Sequence, residues 1–178
     1  SDSALFARIG AALAKADPML VVTIARGSSD HAAAYLKYAI ELTIGIPVAS
    51  VGPSIHSIYG RDLRLDRAAA IGISQSGKSP DIVAMTRSAR ASGALTLAIT
   101  NTPASPLAAA ADFTVDLVAG AERSVAATKT YVNSVVAGLA ILAEWSGDQG
   151  LRAALADLPA ALEKANACDW GQLVAALD

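Results

Sequence analysis

Apolar and polar residues follow two distinct patterns along the chain. Short uninterrupted apolar runs are separated by longer segments in which apolar residues recur at helical spacing. The first pattern is typical of strands buried on both faces of a parallel sheet, and the second of the helices that cover such a sheet. The predicted strands span residues 19–25, 47–51, 68–73, 94–99 and 112–118. The predicted main helices span residues 3–16, 32–44, 82–91, 125–145, 151–165 and 169–177.

Strands that alternate with helices predict a three-layer αβα fold, an α/β protein with one five-stranded parallel sheet. Right-handed crossovers favour a flavodoxin-like, doubly wound arrangement of this sheet. A chain of 178 residues is long enough for one domain with a proper core. We expect a leading helix at 3–16, a sheet domain at 19–147 and C-terminal linker helices at 151–177.

The polar turn after the third predicted strand is the most informative stretch. It contains Ser74, Gln75 and Ser76, and Gly77 allows a tight turn or a close approach to a ligand. Residues 79–81 then predict a helix start, with a serine N-cap, a proline at the first helical position and an acidic residue near the positive end of the helix dipole. Free N–H groups and hydroxyl donors at a helix start predict an anion site, most naturally for phosphate. The alternative is an ordinary capped turn of an α/β protein.

Other polar turns follow the remaining predicted strands. They comprise residues 27–29, 100–102 and 122–124, all rich in hydroxyls, amides or charges. In a parallel sheet the carboxyl ends of the strands lie at one edge, where ligands bind. The turns therefore predict a ligand site at that edge.

Composition narrows the choice of partner. The chain has 14 Lys plus Arg against 16 Asp plus Glu, and only 4% of its residues are aromatic. This balance gives no case for nucleic acid or for an anionic membrane surface. No apolar run reaches the ~18 residues of a membrane span. The single cysteine, Cys168, excludes an internal disulfide and is consistent with a cytoplasmic location.

The motifs for common cofactors are missing from the sequence. The glycine turns lack the dinucleotide fingerprint and the P-loop context, and no His, Cys or carboxylate spacing suits a metal. We therefore expect neither a cofactor nor a metal.

Three segments together resemble the SIS (sugar isomerase) domain family. They are residues 25–32 (ARGSSDHA), 74–79 (SQSGKS) and 122–129 (ERSVAATK). The resemblance is closest to the first of the two SIS domains in the isomerase half of glucosamine-6-phosphate synthase and its deaminase relatives. It covers nearly the whole chain and implies a flavodoxin-like SIS fold.

The resemblance implies a hexose or hexosamine 6-phosphate as ligand. Phosphate would be held by the turn at 74–79, and the sugar hydroxyls by Ser29 and residues 125–127. Lys129 is a candidate for a contact with the ligand or with loop carbonyls, or a side chain that snorkels to solvent. The resulting substrate-binding set is Ser29, Ser74, Gln75, Ser76, Ser79, Val125, Ala127 and Lys129.

Two departures from the synthase pattern favour one activity within the family. Lys78 stands where the synthases usually have an acidic residue, and Ala127 where they usually have serine. Both lean towards a glucosamine-6-phosphate deaminase/isomerase, which interconverts aldose and ketose with release of the amine. The alternatives are the isomerase domain of a glutamine–fructose-6-phosphate aminotransferase and a non-catalytic phosphosugar-sensing module.

Isomerisation requires an acid/base for ring opening and a base near C1 and C2. Glu122, on the loop after the last strand, and His31, beside the first polar turn, are weak candidates. Asp30 and Asp81 sit at helix starts, where a structural role is favoured. In the relatives the base and a ring-opening histidine come mainly from the second SIS domain. We therefore expect a second SIS domain to be missing here and this half to lack the full catalytic set.

The long helix over residues 125–145 carries many small residues. Its face at 132–143 suits close helix–helix packing. This predicts a homodimer, or packing against a second SIS domain.

Overall fold

The computed structural model describes residues 3–124 and 126–176. Helices and strands alternate along the chain, as the hydrophobic pattern predicts. The strands are β1 (Leu20–Ile24), β2 (Val48–Ser50), β3 (Ala68–Ile73), β4 (Leu95–Thr100) and β5 (Phe113–Asp116). The helices are α1 (Ser3–Ala16), α2 (Ser28–Ile44), α3 (Ser54–Ser57), α4 (Pro80–Ala91), α5 (Pro106–Ala110), α6 (Lys129–Ser146), α7 (Gln149–Asn166) and α8 (Gly171–Ala175).

The strands form one parallel sheet in the order β2-β1-β3-β4-β5. This is the flavodoxin-like order, and the predicted αβα fold with a five-stranded parallel sheet is confirmed. The direction of winding reverses between β1 and β3. The carboxyl ends of these two strands therefore flank the crevice in which sheets of this kind bind ligands.

Two hydrophobic clusters cover the two faces of the sheet. Leu36 of α2 and Ile141 of α6 belong to one cluster, and Met85 of α4 belongs to the other. The neighbouring β1 residues Val21 and Val22 point into opposite clusters, as the alternation of side chains along a strand requires. The sheet is thus buried on both faces.

The central strand β3 consists of small and branched residues that are all buried. A Cβ atom on Gly72 would lie 2.8 Å from Thr86 Oγ1 and 3.0 Å from Leu107 Cδ1. Helices α4 and α5 therefore approach the sheet closely beside the end of β3. This close approach brings the amino end of α4 next to the polar turn.

Helix α6 begins at Lys129 and not at the predicted Val125, which lies outside the described residues. The small-residue face of α6 is used inside the domain, where Gly138 lies against Leu36 of α2 and Glu144 against Gly10 of α1. Intramolecular contacts thus explain much of the pattern that predicts helix–helix packing. The homodimer stays a prediction.

Helix α7 lies outside this core. Arg152 donates to Glu144 of α6 through Nε at 3.0 Å and through Nη2 at 2.9 Å. No residue of α7 is buried. The charged pair, together with Leu151, which packs partly buried against the core, attaches α7 to the domain.

Two kinds of feature are absent from the part of the chain that the structure describes. None of its helices has the length and hydrophobicity of a membrane-spanning segment. No group of three or more His, Cys, Asp or Glu side chains within these residues is arranged to hold a metal ion.

Candidate functional site

A cavity of about 190 Å³ lies at the switch point, between the turns that follow β1 and β3. Ile73 and Ile82 contribute apolar walls, and the other lining residues are mainly hydroxyl-bearing. The cavity unites these predicted substrate-binding residues: Ser29, Ser74, Gln75, Ser76, Ser79 and Ala127. Of the four polar turns expected to converge, those at 27–29 and 74–76 contribute to this cavity. Residues 100–102 do not line it, and residues 122–124 line a separate cleft.

The turn after β3 is attached to the neighbouring elements through its backbone. Gln75 O accepts from Asn101 N at 3.0 Å and from Thr100 Oγ1 at 3.3 Å. Gly77 O accepts from Leu107 N of α5 at 3.0 Å. Gly77 has a φ of +61°, the left-handed region that favours glycine. These bonds fix the turn on the ends of β4 and α5.

Three serines of this turn, Ser74, Ser76 and Ser79, line the cavity. Ser74 Oγ lies 3.5 Å from Ser79 Oγ, and Ser76 Oγ accepts from Lys78 N at 3.3 Å. Ser79 is the N-cap of α4 and Pro80 follows at the first position, both as predicted. The Ser79 side chain makes no capping hydrogen bond, however. Its hydroxyl and the positive end of the α4 dipole are therefore available to an anion. The N–H groups of the first turn are largely used, because Pro80 has none, Ile82 N donates to Asp81 Oδ1 at 2.9 Å and Val83 N donates to Ser79 O at 3.0 Å.

An ion pair that the sequence analysis missed joins two of the turns. Arg26 follows β1, and its Nε donates to Asp81 Oδ2 in the first turn of α4 at 2.8 Å. The sequence analysis gave Asp81 only a role at the helix dipole and gave Arg26 no role. No local signal identifies the pair, because its members are 55 positions apart.

A larger cleft of about 630 Å³ lies beside the amino end of α6. Glu122 and Lys129 line this cleft and are not among the residues that line the smaller cavity. Ala127 lines the cavity through a methyl group, and Val125 lies outside the described residues. His31 is exposed in the first turn of α2 and does not line the cavity either.

Glu122 binds the amino end of α6. Its Oε2 accepts from Thr128 N at 3.1 Å, from Thr130 N at 3.1 Å and from Thr130 Oγ1 at 3.0 Å. These bonds, that from Thr130 N above all, lower the pKa of Glu122 to about 2. A carboxylate with such a pKa is ionised at neutral pH but is a weak base. The geometry gives Glu122 a capping role, and its catalytic role stays a prediction.

Acid is expected to break the hydrogen bonds between the Glu122 carboxylate and the start of α6. The folded-state pKa of Glu122 lies below its usual 4.5, so its contribution to stability is present above pH 4.5 and is lost as the pH falls towards 2. The unfolding free energy from urea titrations should therefore fall more steeply in this window for the wild type than for Glu122→Gln. Glu163→Gln, an exposed change on α7, serves as control and should behave like the wild type. Equal pH dependence in Glu122→Gln and the wild type would contradict the assignment.

Comparison with known proteins places the chain in a family. The model of the SIS domain matches residues 13–143. The chain is 39% identical over 132 residues to a glutamine–fructose-6-phosphate aminotransferase (isomerizing) from Symbiobacterium thermophilum, which is 74% of this chain and 21% of that enzyme. The chain thus spans about a fifth of the length of that relative.

Solved structures show the same fold. A crystal structure from Silicibacter pomeroyi DSS-3, of a candidate phosphosugar isomerase, has a TM-score of 0.92 and 57% identity over 96% of this chain and 52% of that one. The C-terminal domain of glucosamine-fructose-6-phosphate aminotransferase from Francisella tularensis has a TM-score of 0.69 at 24% identity, covering 88% of this chain and 50% of that one. The match of the family model over most of the chain, together with the shared fold, shows that this protein belongs to the SIS domain family.

Proposed function

We propose that this domain binds the phosphate of a hexose or hexosamine 6-phosphate and holds the sugar for aldose–ketose isomerisation. The observation that carries the proposal is the cavity at the switch point, where Ser74, Ser76 and Ser79 meet the amino end of α4. Hydroxyl donors at a helix start stabilise a phosphate dianion through hydrogen bonds, and the helix dipole adds to the attraction. The sugar would extend from this turn towards Ser29 and Ala127, which line the same cavity.

Proton transfer between C1 and C2 needs groups that this cavity does not supply from the described residues. Asp81 is paired with Arg26, and Glu122 is bonded to the start of α6. We infer that the base and the ring-opening acid come from a second SIS domain. In support, this chain covers only 52% of the candidate phosphosugar isomerase that it matches at 57% identity.

The relatives favour one of the activities that the sequence analysis considered. The residues at positions 78 and 127 favour a deaminase, but the relative reported above at 39% identity is an aminotransferase. We therefore prefer the isomerase domain of an aminotransferase-like enzyme, which was the stated alternative. The deaminase stays a second candidate because Ala127 lines the cavity with a methyl group where the synthase pattern has a hydroxyl. The homodimer and the cytoplasmic location also stay predictions.

The test of the proposal is calorimetry with fructose 6-phosphate and glucosamine 6-phosphate. Ser76→Ala/Ser79→Ala should weaken binding by about 3–6 kcal/mol, because each of the two hydrogen bonds to a charged group contributes ~1.5–3 kcal/mol. Ser57→Ala/Ser146→Ala is the control, since these hydroxyls donate to helix carbonyls away from the cavity. Unchanged affinity in the first variant would refute the site.

An activity assay on the full-length protein separates the candidate functions. Interconversion of fructose 6-phosphate and glucose 6-phosphate, which exchanges no nitrogen, supports the isomerase. Conversion of glucosamine 6-phosphate and water to fructose 6-phosphate and ammonia supports the deaminase. Binding without turnover by the full-length protein would favour the sensing module.

A further inference from the structure

One positively charged side chain lines the cavity, and the proposed function gives it no role. Arg26 lines the cavity, and it is the only charged side chain among the described lining residues. The others are serines, a glutamine, an alanine and two isoleucines. Arg26 is therefore the one cation among the described residues that line the cavity.

Its pairing with Asp81 leaves most of the guanidinium group free. Only Nε has a partner among the described residues, at 2.8 Å from Asp81 Oδ2. The two terminal amino groups carry further N–H donors in a planar fork whose geometry matches phosphate oxygens. The Arg26 side chain is 56% exposed, so an entering ligand can reach these donors.

The negative charge of Asp81 explains why a paired arginine is needed at this site. Its carboxylate stands in the first turn of α4, at the positive helix end where the phosphate is proposed to bind. An unpaired carboxylate at this point would repel a dianion and compete with it for the helix end. Arg26 neutralises this charge, and Asp81 in turn holds Arg26 at the cavity.

We propose that Arg26, oriented by Asp81, binds the phosphate oxygens and makes the cavity selective for a dianionic ester. The inference rests on the proposed function. Asp81 is a positioning residue that acts through Arg26 and does not touch the ligand.

The test compares Arg26→Gln with Arg26→Lys and with a matched control, using fructose 6-phosphate as the probe. The control is Arg90→Gln. Arg90 lies at the other end of α4, and its Nε pairs with Asp112 Oδ1 at 2.8 Å. The side chains of this pair are 48% and 28% exposed, close to the 56% and 25% of Arg26 and Asp81. Thermal unfolding of each variant establishes that it is folded before affinity is compared.

Arg26→Gln should weaken binding about 10- to 100-fold, the range for a hydrogen bond to a charged group, while Arg90→Gln leaves it unchanged. The affinity of Arg26→Gln should also depend less on salt than that of the wild type, because an attraction between charges is screened. Arg26→Lys keeps the charge without the fork, so it should retain the salt dependence with intermediate affinity. Adding Asp81→Asn to Arg26→Gln should restore part of the affinity by removing the unpaired carboxylate.

The outcomes separate this inference from the function on which it rests. Wild-type affinity and salt dependence in Arg26→Gln, with weak binding by Ser76→Ala/Ser79→Ala, would overturn the role of Arg26 and leave the proposed function standing. Failure of Asp81→Asn to restore any affinity in Arg26→Gln would overturn the repulsion assigned to the unpaired Asp81 carboxylate. Unchanged affinity in Asp81→Asn alone would overturn its role in positioning Arg26. Absence of binding by the wild-type protein would overturn both the inference and the proposed function.

Discussion

Gly77→Ala is expected to destabilise the domain by about 3 kcal/mol or more and to weaken sugar-phosphate binding at the same time. Gly77 has a φ of +61°, which costs a residue with a Cβ atom roughly 1–2 kcal/mol. The added Cβ would also overlap Ser105 Oγ and lie 2.9 Å from Thr100 Oγ1. Thr100 and Ser105 are both almost completely buried, so the turn itself must move. Because this turn contains the serine donors, its movement lowers affinity as well as stability.

Gly60→Ala separates the two contributions to this effect. Gly60 has nearly the same φ, +59°, but no atom lies within 4 Å of the position of its Cβ. This control should lose only the conformational part, about 1–2 kcal/mol, and should bind the sugar phosphate normally. Urea unfolding and calorimetry measure both quantities. Equal losses of stability in the two variants would show that the contact with Ser105 and Thr100 is unimportant.

Gly138→Val is expected to cost about 2–3 kcal/mol of unfolding free energy through overpacking of α6 against α2. A Cβ atom at this position would overlap both terminal methyl carbons of Leu36 and lie 2.9 Å from its Cγ. Leu36 is 1% exposed, and the void of about 10 Å³ that it lines together with Gly138 is too small to take the displaced side chain. The small gain in helix propensity over glycine offsets only part of this cost.

Removing the overlapping side chain should relieve the effect. Leu36→Ala alone should cost about 2–5 kcal/mol through the cavity that it leaves. It removes as many carbon atoms as Gly138→Val adds, so the double variant should cost less than the sum by about 1–3 kcal/mol. Leu42→Ala is the control, because Leu42 lies on the same helix but is 84% exposed. If the stability losses of Gly138→Val and Leu36→Ala simply add in the double variant, Gly138 does not pack against Leu36.

The sequence predicted the framework of the fold because the framework depends on local patterns. The buried run at 68–73 and the leading helix at 3–16 appear with the predicted bounds as β3 and α1. The ends of other elements depend on distant contacts. Helix α6 starts at Lys129 where the Glu122 carboxylate binds the N–H groups of Thr128 and Thr130, and nothing in the helical pattern itself indicates this.

The sequence predicts those parts of the site whose positions depend only on the order of the strands in the sheet. Polar turns after β1 and β3 must meet at the switch point, and so Ser29 and Ser74 share one cavity. The Arg26–Asp81 pair was not predictable, because it depends on how two side chains from different turns are oriented in space. Lys129 was a candidate for a ligand contact, with a side chain that snorkels to solvent as the alternative, and in the structure it lines the larger cleft.

The backbone bonds from Gln75 and Gly77 to β4 and α5 have a consequence for the speed of recognition. The turn has its shape before any ligand arrives, so little chain entropy remains to be lost on binding. Association should then be limited by diffusion and orientation, without a slow conformational step, and differences in affinity among sugar phosphates should lie in how fast they leave.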